Sequence, residues 1–525
     1  MNRKLLPLGA ALLLGAFATP TFAQDSDAPD VAQPTAAQNS VEARFLALEQ
    51  RLAALEAENA RLRASIAPAS APAGTPAQAA AVQVASATET PAPAYADEGG
   101  TASQDRSRGT VGFNNSYAFQ MLDNAEAANT KPLVQLAAAS AGDLDSRVVL
   151  SGGVTAIANQ QWSDTDSKFG YLMRHPTTNN QIGKSVSEAV IHSAQLAVTA
   201  KLTDSVIAYA EMLYDPQQSF GAGNITALTR NQIQLRRGWV MLGNLDKSPF
   251  YALVGKMDVP FGLNETVSPF TNSTNWHAFA GLAYGAQAGY TSENVTVRAM
   301  AVQGGAQFRA ANVPVQGTSV PSRLNNFAVD ARFTLPFGEN GNSVMAGASY
   351  IHGSAYCQGY PIFHFNPCDD NNPAVAAYGQ VNIGPVKLIG EYATTTDEWP
   401  GTAVPVPMNP LSQFAAVEAE AFTLGGRFGF GDYSASPQGR KFAVSGEFSK
   451  FISGDNGAPW ERQNQAVLGF SWFPSESINL FTEFTHVDGW APLNFLSGGN
   501  LPDGSSWSVR EADTNVALIG AQVAF

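Results

Sequence analysis

From Arg147 to the last residue, apolar side chains return at every second position in one segment after another, each about ten residues long. Successive side chains of a strand point to opposite faces, so this period predicts strands with one apolar and one polar face. In 327–335, Phe327, Val329, Ala331, Phe333 and Leu335 share one face, while Asp330, Arg332 and Thr334 share the other. "VVLSGGVTAIANQQW", "AYGAQAGYTSENVTVRAMAVQ" and "AVLGFSWFPSESINLFTEFTHV" read the same way, and with the closing "TNVALIGAQVAF" the strands number roughly sixteen. Tight turns such as Thr203-Asp204 and Gly384-Pro385 join them in pairs. Long polar stretches separate the pairs, around 162–187, 215–229, 259–282, 304–326, 353–374, 394–417, 452–464 and 487–512. Turns at one end, loops at the other and an even strand count are the plan of a bacterial outer-membrane barrel.

A soluble sandwich alternates as well, but it would leave long loops at both ends and would not need a strand running to the final residue. Ala517, Ile519, Ala521, Val523 and Phe525 fall on one face of that strand. Pairing it with the first strand closes the sheet and removes the edges that hydrocarbon cannot satisfy. No stretch after residue 23 reaches the roughly 18 apolar residues of a spanning helix. The fold expected over 147–525 is all-β, an antiparallel transmembrane β-barrel of about 16 strands. Trp162, Tyr214, Trp239, Tyr290 and Trp472, near strand ends, suit interfacial aromatic girdles.

The chain opens on Arg3 and Lys4, an apolar run from Leu5 to Phe17, and small residues around Ala23, which is a secretory signal over 1–23. Its removal takes the formal net charge of −14 down by two, to −16, which argues against nucleic acid as a partner. After a short N-terminal segment, 24–40, residues 41–66 place Phe45, Leu52, Asn59 and Ile66 at heptad position a and Val41, Leu48, Leu55 and Leu62 at d. That is a short coiled coil, and oligomerisation follows from it, a trimer being permitted. Residues 67–110, rich in Ala, Pro, Ser and Thr, form a disordered linker. Residues 111–146 admit three readings: a small plug, a periplasmic lead-in, or more linker.

Cys357 and Cys368, the two cysteines of an exported chain, are expected to pair and staple a loop. His352 and His364 lie nearby, but their spacing matches no zinc signature, and no metal or other cofactor is expected. The pair His192-Ser193 suggests a hydrolase, yet neighbours in a strand face opposite ways, and no other catalytic constellation stands out. The chain is not expected to be an enzyme.

A barrel of this size can hold an aqueous channel, so function should lie in inward side chains. By alternation these are Lys201, Glu211, Arg236, Lys256, Asp258, Arg298, Asp330, Arg332, Lys387, Glu391, Arg427, Glu447 and Glu483. They either favour anions along one wall or form lumen salt bridges with no role toward solute. The stretch "GKMDVPFGLNETVSPFTNSTNWHAFAGL" is the candidate for a segment folded into the bore, a plain surface loop being the alternative.

The final alternating strand ending in Phe525 resembles the terminal assembly signal of outer-membrane proteins, which implies recognition by the barrel-assembly machinery. "VPFG" followed by "PF" resembles a stretch of phosphate-selective porins. The whole layout of signal, heptads ending near Ile66, linker, barrel and terminal Phe resembles the LbtU-type siderophore porins. That resemblance implies a Gram-negative outer-membrane location with the coiled coil in the periplasm, and ferric-siderophore uptake. The chain is too short for the twenty-two strands and plug of an energised receptor. A general or anion-selective porin, and an envelope tether built on the coiled coil, are the alternatives.

Overall fold

A computed structural model describes residues 110–122, 129–164, 184–214, 233–303, 324, 326–338, 341–357, 371–399, 414–432, 439–458, 461–489 and 511–525. The signal, the coiled coil and the linker up to residue 109 lie outside the described residues, as do Cys368 and His364. Among the described residues no helix is long and apolar enough to cross a membrane, which says nothing of strands.

Three short elements come first: strand β1 (Val111–Phe113), helix α1 (Asn115–Gln120) and helix α2 (Lys131–Ala141). Asn114 caps α1 by accepting from the Tyr117 amide at 2.9 Å. Pro132 opens α2, where its missing N–H costs nothing, and Gly142 ends it at φ 82°, a left-handed turn that glycine adopts without strain.

The long strands follow: β2 (Val148–Ser163), β3 (Ser185–Thr203), β4 (Val206–Tyr214), β5 (Ile233–Gly243), β6 (Phe250–Asp258), β7 (Leu282–Thr291), β8 (Val295–Val302) and β9 (Asn326–Pro336). The second half comprises β10 (Ser343–Ile351), β11 (Ala374–Ile383), β12 (Val386–Thr395), β13 (Glu420–Phe430), β14 (Phe442–Ile452), β15 (Arg462–Ser475), β16 (Ile478–Gly489) and β17 (Ala512–Ala524). Each pairs antiparallel with the next, and β17 returns to β2 from Thr514–Ser163 to Ala524–Gly153, closing a sixteen-strand barrel. The last residue continues the seam: the Phe525 amide donates to the Gly152 carbonyl at 3.0 Å, and the Gly152 amide donates back at 2.9 Å. A side chain on Gly152 would meet the Phe525 ring at 2.7 Å, so glycine there lets the terminal aromatic lie across the seam.

Alternation sorts the two faces as expected. Ile519, Val523, Leu424, Leu468 and Phe448 are exposed on the outside, while their strand neighbours Leu518, Gln522, Thr423, Val467 and Glu447 are buried inside. An aromatic run on the outer face, Phe428, Phe430, Phe442 and Phe470, stacks in succession at 5.5–6.2 Å close to the turns. Trp162 and Trp472 are exposed outside, as a girdle requires. Trp239 is not: it is buried, stacks on Tyr209 at 4.5 Å, and donates to Gln135 of α2 at 3.0 Å. Its indole N–H needs a partner once buried, and the insert supplies one.

Residues 111–122 and 129–146 pack against the inner face of the wall. β1 lies parallel to β2 at Val148–Leu150, and α1 packs through Ala118, Phe119 and Leu122 on Ala443, Phe473 and Ala524, close to the turns. α2 buries Leu136 and Ala138 with Ile207, Tyr209, Trp239, Met241 and Leu253 of the wall. Wall side chains also bond to the insert: Gln195 donates to the Met121 carbonyl at 3.1 Å and Lys201 to the Leu144 carbonyl at 3.1 Å. The Tyr117 hydroxyl pairs with Thr199 at 2.8 Å, and burial pushes its pKa up to about 12, so it remains protonated.

Candidate functional site in the barrel lumen

Residues 259–281, after β6, enter the lumen and run along the inner wall, which bears out the expectation of an in-folded segment. Chain without regular structure carries unpaired amides that must be satisfied once buried. Three wall glutamates on alternate strands do this. Glu391 on β12 accepts from the Leu263 amide at 2.7 Å and the Asn264 amide at 2.9 Å. Glu447 on β14 accepts from the Val267 amide at 2.9 Å and the Thr266 hydroxyl at 2.7 Å. Glu483 on β16 accepts from the Phe270 amide at 2.5 Å, the Thr271 amide at 3.1 Å and the Thr271 hydroxyl at 2.6 Å. Each such bond contributes about 0.5–1.5 kcal/mol net, and an amide left unpaired in the interior costs more.

The local sequence makes this path feasible. Gly262 has φ 68°, and a side chain there would run into the Glu391 carboxylate. On the wall, inward Gly425 and Gly469 leave a trough: a side chain on Gly425 would sit 2.7 Å from Val267, and one on Gly469 would overlap Pro269. Ser273 then caps helix α3 (Thr274–Phe279), accepting from the Trp276 amide at 3.1 Å. Phe279 packs on Tyr356, whose hydroxyl donates to the Ala278 carbonyl at 2.9 Å. Cys357, the next residue, is buried.

On the opposite wall the charges pair with one another. Asp330 on β9 takes Arg298 at 2.6 Å and Arg332 at 3.1 Å on one oxygen, and the Ser349 hydroxyl at 2.7 Å with the Tyr378 hydroxyl on the other. Nearby, Arg237 of β5 binds Glu211 at 3.1 Å and grips Asp258 with two nitrogens, at 2.6 and 3.0 Å. The Tyr209 hydroxyl adds a bond to Glu211 at 2.9 Å.

Glu211, Arg298, Asp330, Lys387, Glu391, Glu447 and Glu483 are buried on the inner face, and Lys201, Arg332 and Arg427 are half-buried there. Lys387 pairs with Glu265 of the inner segment at 3.0 Å and stands opposite Arg427 across β12 and β13. Lys256 and Asp258 sit where the alternation of β6 breaks: by register they share the row of Ala252 and Val254, yet Lys256 is buried and Asp258 half-buried. The β5–β6 ladder ends at Gly238–Lys256, and at this opening Lys256 donates to the Leu235 carbonyl at 2.7 Å while Asp258 holds Arg237. They close a gap in the wall.

Alternation also missed Arg237. The β4–β5 register passes from Glu211–Arg237 to Met212–Leu235, so Arg236 is the extra residue of a β-bulge and both arginines are buried. The sequence does carry a trace of this: outward apolar residues stand at Ile233 and Leu235, then at Val240 and Leu242, a change of phase. A second bulge lies at His192, where the register runs from Thr155–Ser193 to Ala156–Ile191. The opposite-faces argument for His192-Ser193 therefore fails at that pair. Buried His192 meets the Phe270 ring edge-on at 4.9 Å.

No family model matches the chain. Three UPF0422 proteins of Legionella pneumophila are similar over 75 residues, two at 35% identity and one at 33%, and the match spans 14% of this chain and 14% of each relative. Among solved structures, the outer-membrane channel DcaP of Acinetobacter baumannii is similar at 16% identity and a TM-score of 0.43, over 72% of this chain and 97% of that one. An anion-selective porin from Comamonas acidovorans is similar at 12% identity and a TM-score of 0.42, over 72% and 99%. The trimer form of OmpT from Vibrio cholerae gives 12% identity and 0.42, over 72% and 100%. Nothing about solutes or partners follows from likeness at this level.

Proposed function

We propose that the chain is an outer-membrane porin, a passive channel whose bore is narrowed by residues 259–281. The observation that carries this reading is the closed sixteen-strand ring with an apolar exterior and a charged, hydrogen-bonding interior. Such a ring satisfies every strand edge internally, which a lipid environment demands. The decisive test is planar-bilayer recording on purified, folded protein, with discrete conductance steps expected and ion preference read from the reversal potential in a salt gradient. A folded barrel that never conducts removes the channel reading.

The cargo of this reading is a ferric siderophore, taken up without an energised receptor; its support is the resemblance in layout. Uptake of radiolabelled ferric siderophore from iron-starved supernatant should fall in a deletion strain and return with the gene. Unchanged uptake sinks that cargo and leaves a general or anion-selective porin. Within the same reading Phe525 is the residue read by the barrel-assembly machinery, Cys357 and Cys368 staple the loop after β10, and the coiled coil assembles a homotrimer in the periplasm. Phe525→Ala should then accumulate unassembled chain, and chemical crosslinking should trap three copies.

A further inference from the structure

Asn129 joins three parts of the molecule. Its side-chain nitrogen donates to the carbonyls of Phe261 at 3.2 Å and Gly262 at 2.6 Å in the inner segment. Its side-chain oxygen accepts from Arg332 at 2.9 Å, and its backbone carbonyl accepts from Arg298 at 2.5 Å. The residue is buried, so each of these groups is satisfied by protein. Asp330 fixes both guanidiniums from behind and turns their remaining N–H groups toward one point, where the two oxygens of Asn129 sit.

The insert that carries Asn129 is not part of the ring. Among its described residues only the three of β1 pair with a wall strand, and every long strand has both neighbours without it. It can therefore leave its seat with the barrel intact, unlike residues 259–281, which are continuous with β6 and β7. A cavity of about 330 Å³ lies beside the end of α2 at the turn-end mouth, lined by Leu136, Ser140, Leu144, Lys201, Asp204 and Asn244. The insert thus has space on the side away from the constriction.

We infer that residues 129–146 are an autoinhibitory plug latched by Asn129, and that the channel conducts when the insert withdraws toward the turn end and Asn129 leaves Arg298, Arg332 and the carbonyls of the inner segment. The inference rests on the channel reading. Opening exchanges the Asn129 bonds for water and leaves Arg298 and Arg332 facing the bore, still held by Asp330. Closing restores them, so the balance is set by a handful of hydrogen bonds and by the apolar seat of α2.

The test is bilayer recording on the full chain in three forms, with folding of each checked by heat-modifiable gel mobility. Asn129→Ala removes three side-chain hydrogen bonds, one of them from the Arg332 guanidinium, and should raise the open-to-closed ratio by about tenfold or more. A lock joins the plug helix itself to the wall through Gln135→Cys with Thr199→Cys, positions whose side chains meet at 3.3 Å, bridged by a short bifunctional thiol reagent that forms reducible disulfides at both ends. Bridged, the locked protein should stay at the closed level; reduced, it should open at least as often as the wild type. Wild-type openings from both Asn129→Ala and the bridged lock would overturn the plug and leave the channel standing. Silence from all three folded forms, reduced lock included, would overturn the plug and the channel together.

Discussion

On the wall of β12, β14 and β16, Glu391, Glu447 and Glu483 each accept from backbone amides of residues 259–281. On the wall of β4 to β9, Glu211, Asp258 and Asp330 instead bind arginines of the same wall, and Arg298 and Arg332 also reach Asn129. The same residue type does two jobs. One wall is a cradle for an inserted loop, the other a self-neutralised brace from which Arg298 and Arg332 also hold Asn129. Charge in a barrel interior therefore need not face solute; where chain is inserted, it goes first to buried backbone and buried opposite charge, because leaving either unpaired is costly.

The contrast predicts that the brace governs stability and the cradle governs conductance. The largest effect should come from Asp330→Ala, which strands the buried Arg298 guanidinium beside half-buried Arg332 and should cost about 3–5 kcal/mol, read as a drop in the denaturant midpoint of the folded barrel. A midpoint shift no larger than that of a surface variant would break the idea of a brace. Next, Gly262→Ala forces a left-handed backbone on alanine and pushes a methyl into Glu391, a strain of order 1–3 kcal/mol. Its readout is local: new protease sites within 259–281 and an altered conductance, with the barrel still folded. Glu447→Gln keeps the shape and one acceptor but can set an NH2 group where a carboxyl oxygen accepts from the Val267 amide and the Thr266 hydroxyl, so a loss of roughly 1 kcal/mol is expected. It should appear as noisier current before any change in midpoint, and the reverse order would erase the distinction between the walls. At the small end, Arg462 bridges Asp488 at 3.4 Å and Glu511 at 3.1 Å in the open near the loops. Arg462→Ala should move the midpoint by less than about 1 kcal/mol, as exposed pairs do.

Comparison of particular strands explains what could be read in advance. In β9 the alternation holds from Asn326 to Arg332, and Asp330 and Arg332 were assigned to the interior from the sequence. In β5 and β3 a bulge changes the phase, and the same rule missed Arg237 and misjudged His192-Ser193. A bulge inserts one unpaired residue, so a period of two holds only up to it. Trp239 shows a different limit: an aromatic near a strand end suits an interface equally well whether it faces lipid or a buried helix, and only the position of Gln135 decides.

The sequence by itself determined the barrel, its strand count and the sorting of long connections from short ones, and it singled out the segment that enters the bore as a candidate. Each of these follows from local chemistry: the period of two, turn residues, and polar stretches between strands. Only the tertiary structure decided that helices α1 and α2 pack on the inner wall, that the wall glutamates serve the inner segment, and that Asn129 meets Arg298 and Arg332. Those contacts join residues well over a hundred positions apart. No local period records them, because what selects them is the demand of buried amides and charges for partners wherever the closed ring brings the chain together.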